Sequence, residues 1–140
     1  MEMTVLPMTI DLYDEVFALW QQTDGIGLSS ADSQDAIRSF LERNRGLSFM
    51  ASMNGKIVGA ILAGHDGRRG YLYHLAVHPN YRRLGFGRKL VEHSLQALKK
   101  QGIQKCHLFA FQYNAAGIAF WKSIGWTPRV DIQAMSMTIE

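Results

Sequence analysis

Val77-His78-Pro79-Asn80-Tyr81-Arg82-Arg83-Leu84-Gly85-Phe86-Gly87-Arg88 joins an apolar strand to an amphipathic helix through a basic turn spaced by glycines. Glycine accepts backbone angles closed to other residues and lets a ligand approach the main chain. A helix start presents unpaired N–H groups and the positive end of the macrodipole, so the turn suits a polyphosphate. Arg82, Arg83 and Arg88 add charge, and an arginine can fork onto phosphate oxygens. Two other phosphate motifs are not met. Leu90 stands where the third glycine of G-x-G-x-x-G belongs, and G-x-x-x-x-G-K-[ST] is absent.

Upstream of the turn, residues 71–77 are almost continuously apolar and aromatic, which predicts a buried central strand. Downstream, Leu90, Val91, Leu95 and Leu98 share one face of a helix that starts near Gly85, carries Lys99 and Lys100 in its last turn and stops at Gly102. Further out, residues 3–6 read as a strand. Asp11 is placed to cap a helix carrying Leu12, Val16, Phe17, Leu19 and Trp20, and Asp32 or Ser33 to cap one carrying Ile37, Phe40 and Leu41. Residues 47–53 and 56–63 flank Asn54-Gly55, a hairpin signal because both residues tolerate positive φ. A strand at 105–111, a short helix at 114–124 and strands at 126–130 and 133–139 complete the expectation. The order β-α-α-β-β-β-α-β-α-β-β is α+β, a mixed, mostly antiparallel sheet flanked by helices with one parallel crossover.

The spacing Arg82-x-x-Gly85-x-Gly87, five residues after Val77, resembles the acetyl-CoA signature Q/R-x-x-G-x-G/A of the GNAT N-acetyltransferases, and the resemblance extends along the whole chain. It implies that backbone N–H groups from Arg83 through Leu84, Gly85, Phe86 and Gly87 to Arg88 hold the pyrophosphate of acetyl-CoA, the co-substrate. It also implies that main-chain groups of Leu75 and Val77, with Ala76 between them, bind the pantetheine arm where two strands splay apart. In residues 112–126, Asn114, Phe120 and Gly125 match the family's second half. Trp121 occupies the place of the tyrosine that family members use to protonate the leaving thiolate. An indole N–H only donates hydrogen bonds, so Trp121 is assigned to the cofactor wall, and the acid is water or Tyr113.

For the base, strict alternation along residues 71–77 puts Tyr71, Tyr73, Leu75 and Val77 on one face and His74 and Ala76 on the other. His74 is then a packed residue. Tyr71 and Tyr73, where the family often has Glu or His, are left to order a water that takes the acceptor's proton.

Charge divides the chain: residues 1–42 hold eight acidic side chains and one basic, residues 43–140 four acidic and fourteen basic. The resemblance makes the first two helices and their loop the acceptor side. Asp24, Asp32 and Asp35 there predict a cationic amine of a small molecule or peptide. Two rival readings are an acyl-CoA sensor without transfer, and a nucleic-acid module built on Arg68, Arg69, Arg82, Arg83, Arg88 and Lys89, though no nucleic-acid motif is seen.

The length of 140 residues suits one domain, 1–140. No apolar run is long enough to span a membrane, and no secretory signal opens the sequence. The lone Cys106 reads as an inert buried thiol in a cytoplasmic protein. No metal-ligand spacing is found, and a monomer or homodimer is expected.

Overall fold

In a computed structural model, which describes residues 3–140, the chain runs β1 (Met3–Pro7), α1 (Tyr13–Gln21), α2 (Gln34–Arg43), β2 (Phe49–Met53), β3 (Lys56–His65), β4 (Gly70–Val77), α3 (Phe86–Lys100), β5 (Cys106–Leu108) and α4 (Ala115–Ser123). It divides into two compact units, one ending at Phe109 and the other Ala110–Glu140.

The first unit holds a five-stranded sheet in the order β1-β2-β3-β4-β5. The first three pairings are antiparallel, and β4 and β5 are parallel, joined across α3. Asn54 and Gly55, at φ 53° and 77°, make the two-residue turn that fixes the β2–β3 register. The middle strand is β3, buried at every residue from 58 to 64. This corrects the expectation of a central position for residues 71–77, since β4 lies next to the edge strand β5.

One face of the sheet carries Met50, Ala60, Leu62 and Ala76 against Val16, Leu19 and Trp20 of α1 and Ile37 of α2. On the other, α3 comes so close that a Cβ on Gly59 would sit 3.0 Å from Leu90 Cδ1, and one on Gly70 3.0 Å from Leu98 Cδ1. Ser33 caps α2 by accepting from Ala36 N–H. Asp11 does not cap the first helix; it sits inside a 3₁₀ turn, Ile10–Leu12, that leads into α1.

The second unit is built on α4. Asn114 Oδ1 accepts from Gly117 N–H at 3.1 Å, closing the helix start. At the other end Gly125, at φ 102°, lets Gly125 N–H reach Lys122 O and Trp126 N–H reach Trp121 O, which ends the helix in a Schellman turn.

The expected strands at 126–130 and 133–139 do not form; those residues are irregular. The alternation is present, but it stabilises a strand only by burying one face and pairing its main-chain groups. Among the described residues no strand pairs with this segment, and Met135, Met137 and Ile139 are about nine-tenths exposed. The strand expected at 105–111 is also shorter, ending at Leu108.

Candidate active site

Two irregularities in β4 shape the site. Its pairing to β5 covers only Gly70, Tyr71 and Leu72, so among the described residues the β5-facing edge of β4 has no strand partner beyond Leu72. On the β3 side Tyr73 lies opposite Leu62 and Ala76 opposite Ala60, so His74 and Leu75 together oppose Ile61. This is a β-bulge. Leu62 and Ala60 are two apart and share a face, hence Tyr73 and Ala76 share a face although they are three apart. The bulge therefore corrects the strict alternation expected for residues 71–77.

Past Val77 the chain folds tightly before entering α3. His78 Nδ1 accepts from Asn80 N–H, and Tyr81 lies edge-on between the rings of His78 and buried Phe86. Arg82 Nε donates to Val77 O at 2.9 Å. Arg83 and Gly85 both adopt left-handed angles, φ 63° and 87°. The N-cap of α3, Gly85, has no side chain to cap it, and Lys89 N–H to Gly85 O is the bond that closes its first turn. The N–H groups of Phe86, Gly87 and Arg88 thus stand at the open end of the helix. Arg82, Arg83 and Arg88 are exposed, Arg88 paired with Glu92 at 3.2 Å. The segment can hold an anion with main-chain donors, two flanking guanidinium groups and a helix dipole.

On the face covered by α1 and α2, His74 sits at φ 54°, a conformation costly for a non-glycine residue. Three contacts hold it. Its Nε2 bonds Asp32 Oδ1 at 2.8 Å, the Trp20 indole meets its ring edge-on at 5.0 Å, and Trp20 Nε1–H donates to His74 O at 3.1 Å. Asp32 is buried, its Oδ2 accepting from Ser29 N–H and its main-chain oxygen from the Tyr13 hydroxyl. Beside them Tyr73, Tyr71 and Phe109 stack in a row, with Phe40 edge-on to Tyr73.

Asp24 is exposed on the α1–α2 connection, and Asp35 is almost fully exposed beside Arg38 at 2.6 Å. Asp32 differs from both in being buried, with both carboxylate oxygens engaged. In the second unit Tyr113 is exposed and stacks on Phe111, while Trp121 is wedged edge-on between Phe120 and Trp126, 5.2 Å from each.

Residues 11–126 match the acetyltransferase (GNAT) family. The chain belongs to that family. An acetyltransferase of Yersinia pestis strain Pestoides F is 32% identical over 116 residues, covering 83% of this chain and 82% of the relative. Among solved structures, the PaiA N-acetyltransferase of Thermoplasma acidophilum in complex with coenzyme A superposes with a TM-score of 0.79 at 18% identity, covering 91% of each chain. An aminoglycoside acetyltransferase from an uncultured soil metagenomic sample, in complex with sisomicin, has a TM-score of 0.77 at 18% identity over 99% of this chain and 97% of the other. The protein is thus an acyltransferase with the GNAT fold.

In this acetyltransferase the basic residues expected of a nucleic-acid module do not form one patch. Arg68 and Arg69 lie in the turn before β4, whereas Arg82, Arg83, Arg88 and Lys89 lie beyond its far end, roughly 20 Å away at strand rise. Half-burial raises the Cys106 thiol to about 11, so it stays protonated and inert at neutral pH. Among the described residues no helix is long and apolar enough to cross a membrane, and no group of three or more His, Cys, Asp or Glu gathers as a metal site.

Burial, and then the neighbouring Tyr71, raise the Tyr73 hydroxyl above the ordinary tyrosine value. A phenol whose folded value is raised contributes stability that is fully present below the unfolded value of about 10 and lost as pH rises through the folded one. Urea unfolding between about pH 9 and 11 should show Tyr73→Phe losing less stability with rising pH than the wild-type chain. Equal alkaline losses in the two would remove this account of Tyr73.

The sequence reading missed the Asp32–His74 pair. Its partners are 42 residues apart, and the one local sign was Ser29-x-x-Asp32, a capping-box spacing that the structure bears out.

Proposed function

We propose that this acetyltransferase moves the acetyl group of acetyl-CoA to a primary amine of a small molecule or peptide, by direct attack within a ternary complex, and that residues 1–140 act as one N-acetyltransferase domain. The observation that carries the reading is the unpaired β4 edge running directly into a helix start whose first N–H groups are uncapped between Arg83 and Arg88. The edge offers main-chain groups of Leu75 and Val77 to the amide-bearing pantetheine arm as an added strand would. The helix start offers donors to the pyrophosphate.

Support for one domain comes from the family match, which crosses the boundary at residue 110. Asn114, Phe120 and Trp121 are assigned to the cofactor wall, and Tyr113 or water to protonation of the thiolate. Tyr71 and Tyr73 order water on the acceptor side. Exposed Asp24 and Asp35 favour a cationic acceptor, and the similar aminoglycoside acetyltransferase is solved in complex with sisomicin. Asp32 shapes the end of the α1–α2 connection, between Asp24 on that connection and Asp35 in α2.

Calorimetry with acetyl-CoA, followed by CoA release over spermidine, free amino acids, peptides with free N-termini or lysine, and an aminoglycoside, tests the reading. Saturable binding and turnover of at least one amine are expected. Asp24→Asn should raise the acceptor KM, more so at low salt, without changing acetyl-CoA affinity. Binding without turnover across the panel would replace the enzyme with a sensor, and absence of binding would remove the reading altogether.

A further inference from the structure

We propose that His74 is the general base of the reaction: its Nδ1 takes the proton from the acceptor ammonium, and Asp32 is the positioning residue that holds the ring for it. The inference rests on the amine-acetylation reading above. An ionised carboxylate can only accept hydrogen bonds. In the neutral ring, the 2.8 Å contact of Asp32 Oδ1 with His74 Nε2 puts the hydrogen on Nε2 and the lone pair on Nδ1. The other carboxylate oxygen is fixed by Ser29 N–H, so neither ring nor carboxylate is free to turn.

Among the described residues Nδ1 has no hydrogen-bond partner, and no buried side-chain nitrogen or oxygen is left without one, so Nδ1 is reachable by solvent. The side chain is 17% exposed, against 8% for Asp32. The ring lies in the bulge, on the stretch of β4 past Leu72 whose β5-facing edge has no strand partner among the described residues. It faces α1 and the α1–α2 connection, the acceptor side. A histidine held at φ 54° by a buried tryptophan and a buried carboxylate is a strained residue that its surroundings impose, as active sites commonly do. The titratable groups around it are Asp32 from the connection, Tyr13 from α1 and Tyr73 beside it in β4.

The step balances. RNH3+ gives one proton to Nδ1, directly or through one water, and the freed nitrogen pair forms the C–N bond to the thioester carbon. The C–S bond breaks with its electron pair going to the CoA sulfur. The second nitrogen proton reaches that thiolate, and His74 returns its proton to solvent, giving amide, CoA-SH and H+.

His74→Gly is the sharpest test, because glycine adopts φ 54° without strain and keeps the bulge. With acetyl-CoA and the panel amine that the wild-type chain acetylates fastest, kcat should fall about 100-fold or more, the scale of a lost general base. Acetyl-CoA affinity should not change. Added imidazole should restore rate, and a series of substituted imidazoles should restore it more as basicity rises. Asp32→Asn should lower kcat, again without loss of acetyl-CoA affinity. Should the glycine variant not fold, His74→Asn, which also tolerates positive φ, should lose one ionisation from the profile of kcat/KM against pH.

Retention of kcat in a folded His74 variant, or a loss in His74→Gly that no imidazole restores while acetyl-CoA still binds, overturns the assignment alone. A wild-type chain that acetylates no amine on the panel overturns the amine-acetylation reading and this inference with it.

Discussion

Gly85→Val should weaken acetyl-CoA binding by roughly 10- to 150-fold, the equivalent of one charge-assisted hydrogen bond at about 1.5–3 kcal/mol. A Cβ at Gly85 meets nothing within 4 Å, so the substitution does not clash with the protein. The damage comes from the backbone: valine resists φ 87°. As the residue relaxes, the N–H groups of Phe86 to Arg88 turn away from a common focus. Gly87→Val separates the causes. Residue 87 lies in the first turn of α3, where valine is a better helix former than glycine, so stability should hold or rise. A loss of affinity there reports crowding of the ligand itself. Calorimetry with acetyl-CoA and thermal unfolding of both variants decide the matter. Unchanged affinity in both folded variants would remove the phosphate assignment.

Trp20→Ala should cost about 3–5 kcal/mol of stability, the range for truncating a buried aromatic residue. Trp20 is 1% exposed and sits in the core beneath the bulge. Trp20→Phe keeps most of that volume but leaves His74 O without its donor, and should cost about 1–3 kcal/mol. In urea unfolding the two losses should differ clearly. The phenylalanine variant should also show a lower kcat at unchanged acetyl-CoA affinity, because the bond it removes ends on the bulge. A phenylalanine variant as stable and as active as the wild-type chain would show that the indole N–H does not hold β4 in shape.

Much of the fold could be read from local chemistry. Asn54-Gly55 announces a turn because both positions need positive φ, and Gly102, at φ 85°, ends α3 for the same reason. The basic turn was legible because arginines and glycines converge within seven residues. The bulge was not. Tyr71-Leu72-Tyr73-His74-Leu75-Ala76-Val77 is apolar or aromatic at nearly every position, so it carries no period, and an extra residue shows only against the register of β3. That hidden residue turned the face assignment of His74 and Ala76. Charge counts along a sequence carry no burial, so Asp32 looks there like a surface carboxylate beside Asp24 and Asp35. Its pairing with His74 depends on α1 and the connection folding back over β4. The C-terminal alternation misled for a related reason: a strand is a property of a pair, and a segment's own pattern cannot supply its neighbour.

The Arg82 side chain does two jobs with different atoms. Its Nε occupies Val77 O, while the two terminal nitrogens of its fork remain at the exposed mouth of the turn. A single residue thus fastens the last carbonyl of β4 and still presents positive charge outward. Lysine matches that charge but has one nitrogen, and would have to abandon either the strand or the mouth. Replacement at this position is therefore constrained by the number and placement of donor atoms, and two homologues of equal charge here need not be equivalent.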